Sequence, residues 1–480
     1  MSRAISHCIL PTYVQSVYNT IMFRYVFSIF LSFSIILVLA FYSDAIHRIN
    51  DTAQEIKVVE VAIFKGAFGI EWHQQMAEQF NRENKHRNIK IELWGDPKLA
   101  NILKPRLLRG NPPDLILDER LPLWLLIAAD KLLPLNAPLA EPALGFEQQK
   151  WADRYSPGML NMFKSNGNVY AVPAAFGAWT CWYNASLYKA KGWEIPKTWD
   201  EYIDLCEKIK QSGMVPIALQ GKNSYFYAWS TYITLVQRIG GVEAINRINA
   251  LEPNSFSHPD ALKAAQVFQN LVANYYQPGA LAMTHTEAQL QFIQGNTAMI
   301  FCGVWLENEM RETIPADFEL RSFDIPGSPE WKGNDKMVHG QGMEFLFVPK
   351  AAKHPGIAFE FARYLVSPQH APGMSRSIGA ISPLREVNSP ENFSPAIASV
   401  VDIVNDSSGA FNVRPYMLFP AWKSQVMDAA IQDLCRGTLT PEEFARTLDD
   451  GIAHEVATAE RAIPDAVLLN PSDYGELHAH

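Results

Sequence analysis

Three groups of side chains in this sequence could do chemistry. The first is a pair of carboxylates, Asp118 and Glu119, set directly after the apolar run Leu115-Ile116-Leu117 and followed by Arg120. At the end of a buried strand they could accept hydrogen bonds from hydroxyl groups, each charge-assisted bond being roughly twice as strong as a neutral one; a surface ion pair with Arg120 explains them equally well. The second group is aromatic. Trp305 closes the stretch Gly295 to Trp305, GNTAMIFCGVW; Tyr225, Phe226, Tyr227 and Trp229 follow Gly221-Lys222-Asn223-Ser224; and Tyr416, Phe419 and Trp422 come late in the chain. Flat rings at a cleft suit a ligand with an apolar face and polar edges, although any one of them is also explained by core packing. Third, Glu307 and Glu309 form Glu-x-Glu. Glycoside hydrolysis needs two carboxyls about 5 to 9.5 Å apart across the scissile bond. Residues two apart on a helix point away from each other, so this pair reads as surface charge.

Other chemistries lack their signatures. No His-Glu-x-x-His, Gly-x-Ser-x-Gly or Cys-x-x-Cys occurs, so neither a zinc hydrolase nor a nucleophile-elbow enzyme is indicated. The glycines of Lys65-Gly66-Ala67-Phe68-Gly69 flank a step from strand to helix without the full phosphate-loop pattern. Lys65 and Phe68 are therefore candidates for a ligand loop, a plain tight turn being the alternative. The net charge is -9 and no run of Lys and Arg appears, which argues against nucleic acid as a partner. No cofactor or metal is expected. Among the five cysteines, Cys181 and Cys302 fall on expected buried strands, and spacing leaves a disulfide between them open.

The elements that must position these groups are legible from periodicity. A length of 480 residues with 48% hydrophobic content implies two domains or lobes. Val58–Phe64 reads as a strand. Ile70–Phe80 follows as a helix with Trp72, Met76, Ala77 and Phe80 on one stripe, and Ile89, Ile91 and Leu93 alternate as a second strand. Lys98–Arg109 is helical and Asp114–Leu117 is a third strand. The order β-α-β-α-β implies parallel strands with helices across the sheet faces, and ligands in such sheets sit beyond the carboxyl ends of strands. Lys65, Phe68, Asp118 and Glu119 all fall at such ends. Ala298 to Cys302 reads as a strand buried on both faces. His339-Gly340-Gln341-Gly342-Met343-Glu344 reads as a glycine-rich hinge loop, with Glu344 and Gln341 as cleft candidates. Thr198 with Glu201, and Thr440 with Glu443, are spaced as capping boxes. Near the start, Tyr25–Tyr42 holds eighteen residues without a charge and is followed by Ser43-Asp44-Ala45. This is a signal peptide or a membrane anchor within residues 1–45, and Met22 would make a conventional start.

Taken in order, these segments resemble the extracellular solute-binding proteins of carbohydrate import systems, the group that includes maltose-binding protein. GNTAMIFCGVW is similar to the family's Gly-x-x-Ala-Met strand followed by Gly-x-Trp. Pro113-Asp114-Leu115, Tyr183-Asn184 with Pro196 to Glu201, Gly379-Ala380-Ile381-Ser382-Pro383, and Gly437 to Phe444 occur in the family's sequence of motifs. The resemblance implies an α/β, two-lobed periplasmic-binding-protein fold of type II with a ligand cleft and three crossings between lobes. Those crossings fall near Val169–Ala178, His339–Glu344 and Gly379–Pro383. The first lobe would hold residues 57–173 and 341–380, the second 178–336 and 383–480. It also implies that Trp305 stacks on a bound sugar, that Tyr225 and Trp229 belong to a segment giving stacking and polar contacts, and that Trp422, with Phe419 behind it, faces the ligand. The implied function is capture of a carbohydrate outside the cytoplasm, by a monomer, for an ABC transporter permease. An extracytoplasmic carbohydrate-active enzyme and a ligand-sensing ectodomain are the alternatives.

Overall fold

The structure, a computed structural model, describes residues 10–52, 56–66, 69–118, 120–155, 159–222, 225–333, 337–384, 387–459 and 463. Two units separate: one holds helix α1 (Leu10–Thr52) and the stretch Lys85–Lys90, the other holds Val58–Asn84 and the chain from Ile91 onward. Within α1, Met22–Ser43 has a mean hydropathy of 2.3 and its side chains are exposed.

The second unit is built on a mixed sheet. Strands β1 (Lys57–Phe64), β2 (Ile89–Asp96) and β3 (Leu115–Leu117) are linked by helices α2 (Glu71–Glu83) and α3 (Leu99–Leu108). Ala62 lies opposite Ile116 in a parallel pairing, which needs the crossover helices that the alternating pattern implied. The inward stripe of α2 is His73, Ala77 and Phe80. Trp72 and Met76, expected on that stripe, lie half-buried at its border.

Strand β4 (Val172–Asn184) is thirteen residues long. The small residues Ala174, Ala175, Gly177 and Ala178 are part of this strand, where a partner lies closely along it. After β4 come helix α4 (Trp199–Gln211), β5 (Val215–Ala218), α5 (Ser230–Asn249), α6 (His285–Ile293), β6 (Thr297–Gly303), α7 (Leu306–Met310), β7 (Leu320–Phe323), β8 (Val338–Phe347), β9 (Ala410–Phe411) and α8 (Pro441–Thr458). The nine strands form one sheet in the order β2-β1-β3-β8-β4-β6-β5, with β7 added on β4 and β9 on β8. The first part of β4 pairs antiparallel with β8, Leu346 opposite Val172 and Gly340 opposite Ala178. Its second part pairs with β6, Gly303 opposite Trp179 and Met299 opposite Tyr183.

Strands β4 and β8 thus connect the β1-β2-β3 half of the sheet to the β5-β6-β7 half. The glycines around Gly340 belong to strand rather than to a loop, and their smallness serves packing: a Cβ on Gly340 would lie 2.4 Å from the Phe176 ring. A third passage runs beside them, where Phe176 and Ile381 exchange both backbone hydrogen bonds at 2.8 and 2.9 Å. Helix starts follow local chemistry. The Thr440–Glu443 box at α8 closes in both directions. At α4, Thr198 Oγ1 accepts from the Glu201 N–H, while the Glu201 carboxylate accepts from Lys197 instead, at 2.7 Å. Each such cap is worth about 1 kcal/mol.

The disulfide left open by spacing is excluded by register. Phe301 faces Cys181 and Cys302 faces Thr180 across the β4–β6 ladder. Directly opposed residues share a face and successive residues alternate, so the two thiols point to opposite sides of the sheet. Both are free and buried, and burial pushes the Cys302 thiol up to about 12.

Candidate ligand-binding site

The carboxyl ends of β1 and β3 carry a polar cluster. Asp118 follows β3 directly, and its side chain is only 1% exposed. Its Oδ1 accepts from the Arg120 N–H at 2.6 Å, and the Arg120 guanidinium lies over the Phe64 ring, 3.5 Å from the centroid. Its Oδ2 is buried without a hydrogen-bond partner. Loss of water raises the Asp118 carboxyl to about 6, against the opposing pull of the Arg120 backbone bond and charge. The Asp118 N–H donates to the Phe345 carbonyl at 3.2 Å, which ties this strand end to β8 one residue after Glu344.

Glu344 is 3% exposed and its backbone sits at a φ of +49°. A left-handed conformation is uncommon for a side-chain-bearing residue, and buried examples concentrate at functional sites. Its Oε2 lies 2.9 Å from Nε2 of His73 in the first turn of α2, and its Oε1 has no partner. Trp72 meets the His73 ring edge-on, 5.0 Å between centroids. The sequence pattern did not single out His73; its spacing four before Ala77 and seven before Phe80, on an apolar stripe, was the available signal.

The aromatic cluster lies where β4 meets β6. Trp305 is 9% exposed and folds back over the end of its own strand: a Cβ on Gly303 would lie 2.3 Å from the six-membered ring of its indole. It packs edge-to-face on Trp179, 5.0 Å between centroids. Trp179, also missed from sequence, is the hub. It stacks on Phe301 at 5.9 Å and on His339 at 6.1 Å, and meets Tyr227 edge-on at 6.0 Å. His339 stacks in turn on Phe411, and burial lowers its imidazole to about 4. A polar network backs the rings. The Tyr227 hydroxyl lies 3.2 Å from His285 and 3.3 Å from the Cys302 sulfur, and Glu309 lies 2.6 Å from His285 and 2.8 Å from the Gln289 amide.

The residues singled out from sequence therefore fall into three places. Asp118 lies opposite Phe345, one residue after Glu344 on β8, with Lys65 exposed at the end of β1. Trp305 belongs to the aromatic cluster at β4 and β6. Trp229 and Trp422 do not join it, contrary to expectation: they pack on each other at 6.0 Å, with Phe256 at 6.0 and 6.2 Å. The Trp422 indole N–H is spent on the Leu448 carbonyl at 3.2 Å, and the ring fills a notch at Gly451 of α8, where a Cβ would approach to 2.7 Å. Both tryptophans are core. Phe68, Glu119 and the Tyr225 side chain lie outside the described residues. Glu307 and Glu309 diverge as their spacing implied, Glu307 towards Ser394 at 2.7 Å and Glu309 towards α6. Both are half-buried with partners rather than free surface charge.

A sheet in two halves joined by two shared strands and a third passage is the fold of the two-lobed type II periplasmic binding proteins. The family of bacterial extracellular solute-binding proteins matches residues 70–372, and the chain belongs to it. The diacetylchitobiose binding protein NgcE of Streptomyces coelicolor is 28% identical over 328 residues, 66% of this chain and 68% of that protein. The multiple sugar-binding protein of Streptococcus mutans is 26% identical over 303 residues, 61% of this chain and 67% of that one. Among solved structures, a chitin oligosaccharide binding protein matches with a TM-score of 0.68 at 21% identity, over 83% of this chain and 99% of its own. The protein is accordingly extracytoplasmic, and the family is one of binding proteins rather than enzymes.

Proposed function

We propose that this protein is the carbohydrate-capturing component of an ABC importer, and that it holds an oligosaccharide between its two lobes and delivers it to the membrane permease. The first lobe is residues 57–173 with 341–380, the second 178–336 with 383–480, and each takes one wall of the cleft. On this reading Asp118 and Glu344 accept hydrogen bonds from sugar hydroxyls, with Lys65 at the rim. Trp305, braced by Trp179, covers the apolar face of a pyranose ring. The observation that carries the reading is the two buried carboxylate oxygens, Asp118 Oδ2 and Glu344 Oε1, that have no partner among the described residues. A buried acceptor left unpaired costs about 1–3 kcal/mol, and a ligand hydroxyl would remove that cost. The same cost, reimposed by a hydroxyl of the wrong configuration, is what lets such a cleft reject near-isomers.

On this reading the protein acts as a monomer and leaves its ligand intact; the Glu307 and Glu309 carboxylates, turned to different partners, do not form the opposed pair that glycoside hydrolysis needs. Thermal-shift screening against an oligosaccharide library, followed by calorimetry on the hits and chromatography of the incubated sugar, tests all of this. A ligand at 100 times its dissociation constant should add about 2.7 kcal/mol of stability, with the sugar recovered intact. No stabilisation across the library would reject the sugar reading; cleavage products would reject the transport reading.

A further inference from the structure

The apolar part of α1 is longer than an export signal needs. The uncharged run Tyr25–Tyr42, behind Arg24, is 18 residues, about 27 Å at 1.5 Å per residue, close to a hydrocarbon core of about 30 Å. A removable signal has an apolar core of about 7–15 residues. The run is apolar on every side, with Phe27, Phe30, Leu31 and Leu37 each more than half exposed. A helix of that character is covered by a protein core or by lipid, and within its own unit nothing buries these side chains. Two hydroxyls in the run are provided for: those of Ser32 and Ser34 donate to the carbonyls of Ser28 and Phe30 at 2.8 and 2.9 Å, as hydrocarbon favours.

The helix also fails to stop where a cleavage site would need it to. It continues through Ser43-Asp44-Ala45 to Thr52, with no glycine and no proline after Pro11. In a helix each backbone N–H and C=O is bonded within the turn, so the peptide after Ala45 is helical rather than extended.

We propose that α1 is retained after export as a single-span anchor occupied by the lipid of the cell membrane, holding the folded part on the outer side. If the transport reading holds, the receptor then searches for its permease in the plane of the membrane rather than through the whole extracytoplasmic volume.

The test is expression of the full chain in a bacterium, conversion to spheroplasts, an alkaline carbonate wash of the membranes and mass spectrometry of the protein. Retention in the washed membrane, release by detergent, and recovery of peptides from Tyr25–Tyr42 in the membrane-bound form are expected. A form released by osmotic shock or by carbonate, or one whose N-terminus lies after Ala45, overturns the anchor. Sugar binding by the detergent-released chain is measured separately, so loss of the anchor and loss of the transport reading give different results.

Discussion

His73 and Glu344, 271 positions apart in the sequence, meet with Nε2 and Oε2 at 2.9 Å in a site where both residues are buried. The contact joins the first turn of α2 to β8, one of the strands shared by both halves of the sheet. It also holds Glu344 at a positive φ, a backbone state that costs on the order of 1–3 kcal/mol and persists only where the surroundings enforce it. The second oxygen of Glu344 is buried with no partner among the described residues. On the proposed reading, a strained residue fixed by one bond and offering one free acceptor is pre-organised for a ligand donor.

Removal of one partner should be destabilising. His73→Ala leaves Glu344 Oε2 buried without its hydrogen-bond partner, which costs about 1–3 kcal/mol. Urea unfolding should show the midpoint falling without a change in slope. A loss under about 1 kcal/mol would mean that Glu344 finds water or another donor, and that the pair does not fix it.

Asp118 gives a pH signature. Its folded-state value of about 6 lies above the unfolded carboxylate value of about 3.9, so between those two pH values the folded chain binds more protons than the unfolded one. Stability therefore falls as pH rises from about 4 to about 6 and is flat above, with a total contribution of roughly 3 kcal/mol at about 1.4 per unit. Asp118→Asn should remove that slope. If Oδ2 accepts from a sugar hydroxyl, binding favours the ionised form, so affinity should drop as pH falls through 6 in the parent and stay level in Asp118→Asn. Parallel pH profiles for the two proteins would exclude Asp118 from the ligand contact.

Two of the three tryptophans expected at the ligand should separate on testing. Trp422→Ala empties a closed core position with its hydrogen bond to Leu448, and should cost about 3–5 kcal/mol in unfolding. Trp305→Ala removes a ring at the edge of its cluster and should weaken sugar binding at least tenfold, about 1.4 kcal/mol, with the smaller effect on stability. Calorimetry with paired denaturation curves decides it. Equal binding isotherms for Trp305→Ala and the parent would remove that indole from the site.

The order of strands and helices from Val58 to Leu117, and the buried strand ending at Gly303, are readable in the sequence because apolar periodicity reports burial directly. Small residues report something less specific. At 174–178 they fit either a flexing or a closely packed segment and at 339–344 a hinge loop; they build two paired strands whose close approach needs them, as Phe176 over Gly340 illustrates. Asp118 and Glu344 could be picked out because charge beside an apolar strand is informative. Ring spacing around Trp229 and Trp422 could not show which way the rings face, since that is settled by Gly451, 29 positions after Trp422 in the sequence. His73 was hidden by occupying a place where an apolar side chain would have served the helix equally well.

Gly303 tests the aromatic wall without touching a ring. It sits at the end of β6 opposite Trp179, and a Cβ there would lie 2.3 Å from two carbons of the Trp305 six-membered ring, far inside van der Waals contact. The backbone on one side is held by the ladder with β4, so the indole has to move. Gly303→Ala should therefore displace Trp305 from Trp179, shift the tryptophan emission of the free protein, and weaken sugar binding in the same range as Trp305→Ala. Stability should fall by about 1–3 kcal/mol, as overpacking does. The double variant Gly303→Ala with Trp305→Ala supplies the control: with the ring gone the methyl has room, so the second substitution should restore part of the stability lost to the first while binding stays low. Full additivity of the two stability losses would show that the methyl group strains something other than Trp305, and the indole would then have no special claim to the position facing the ligand.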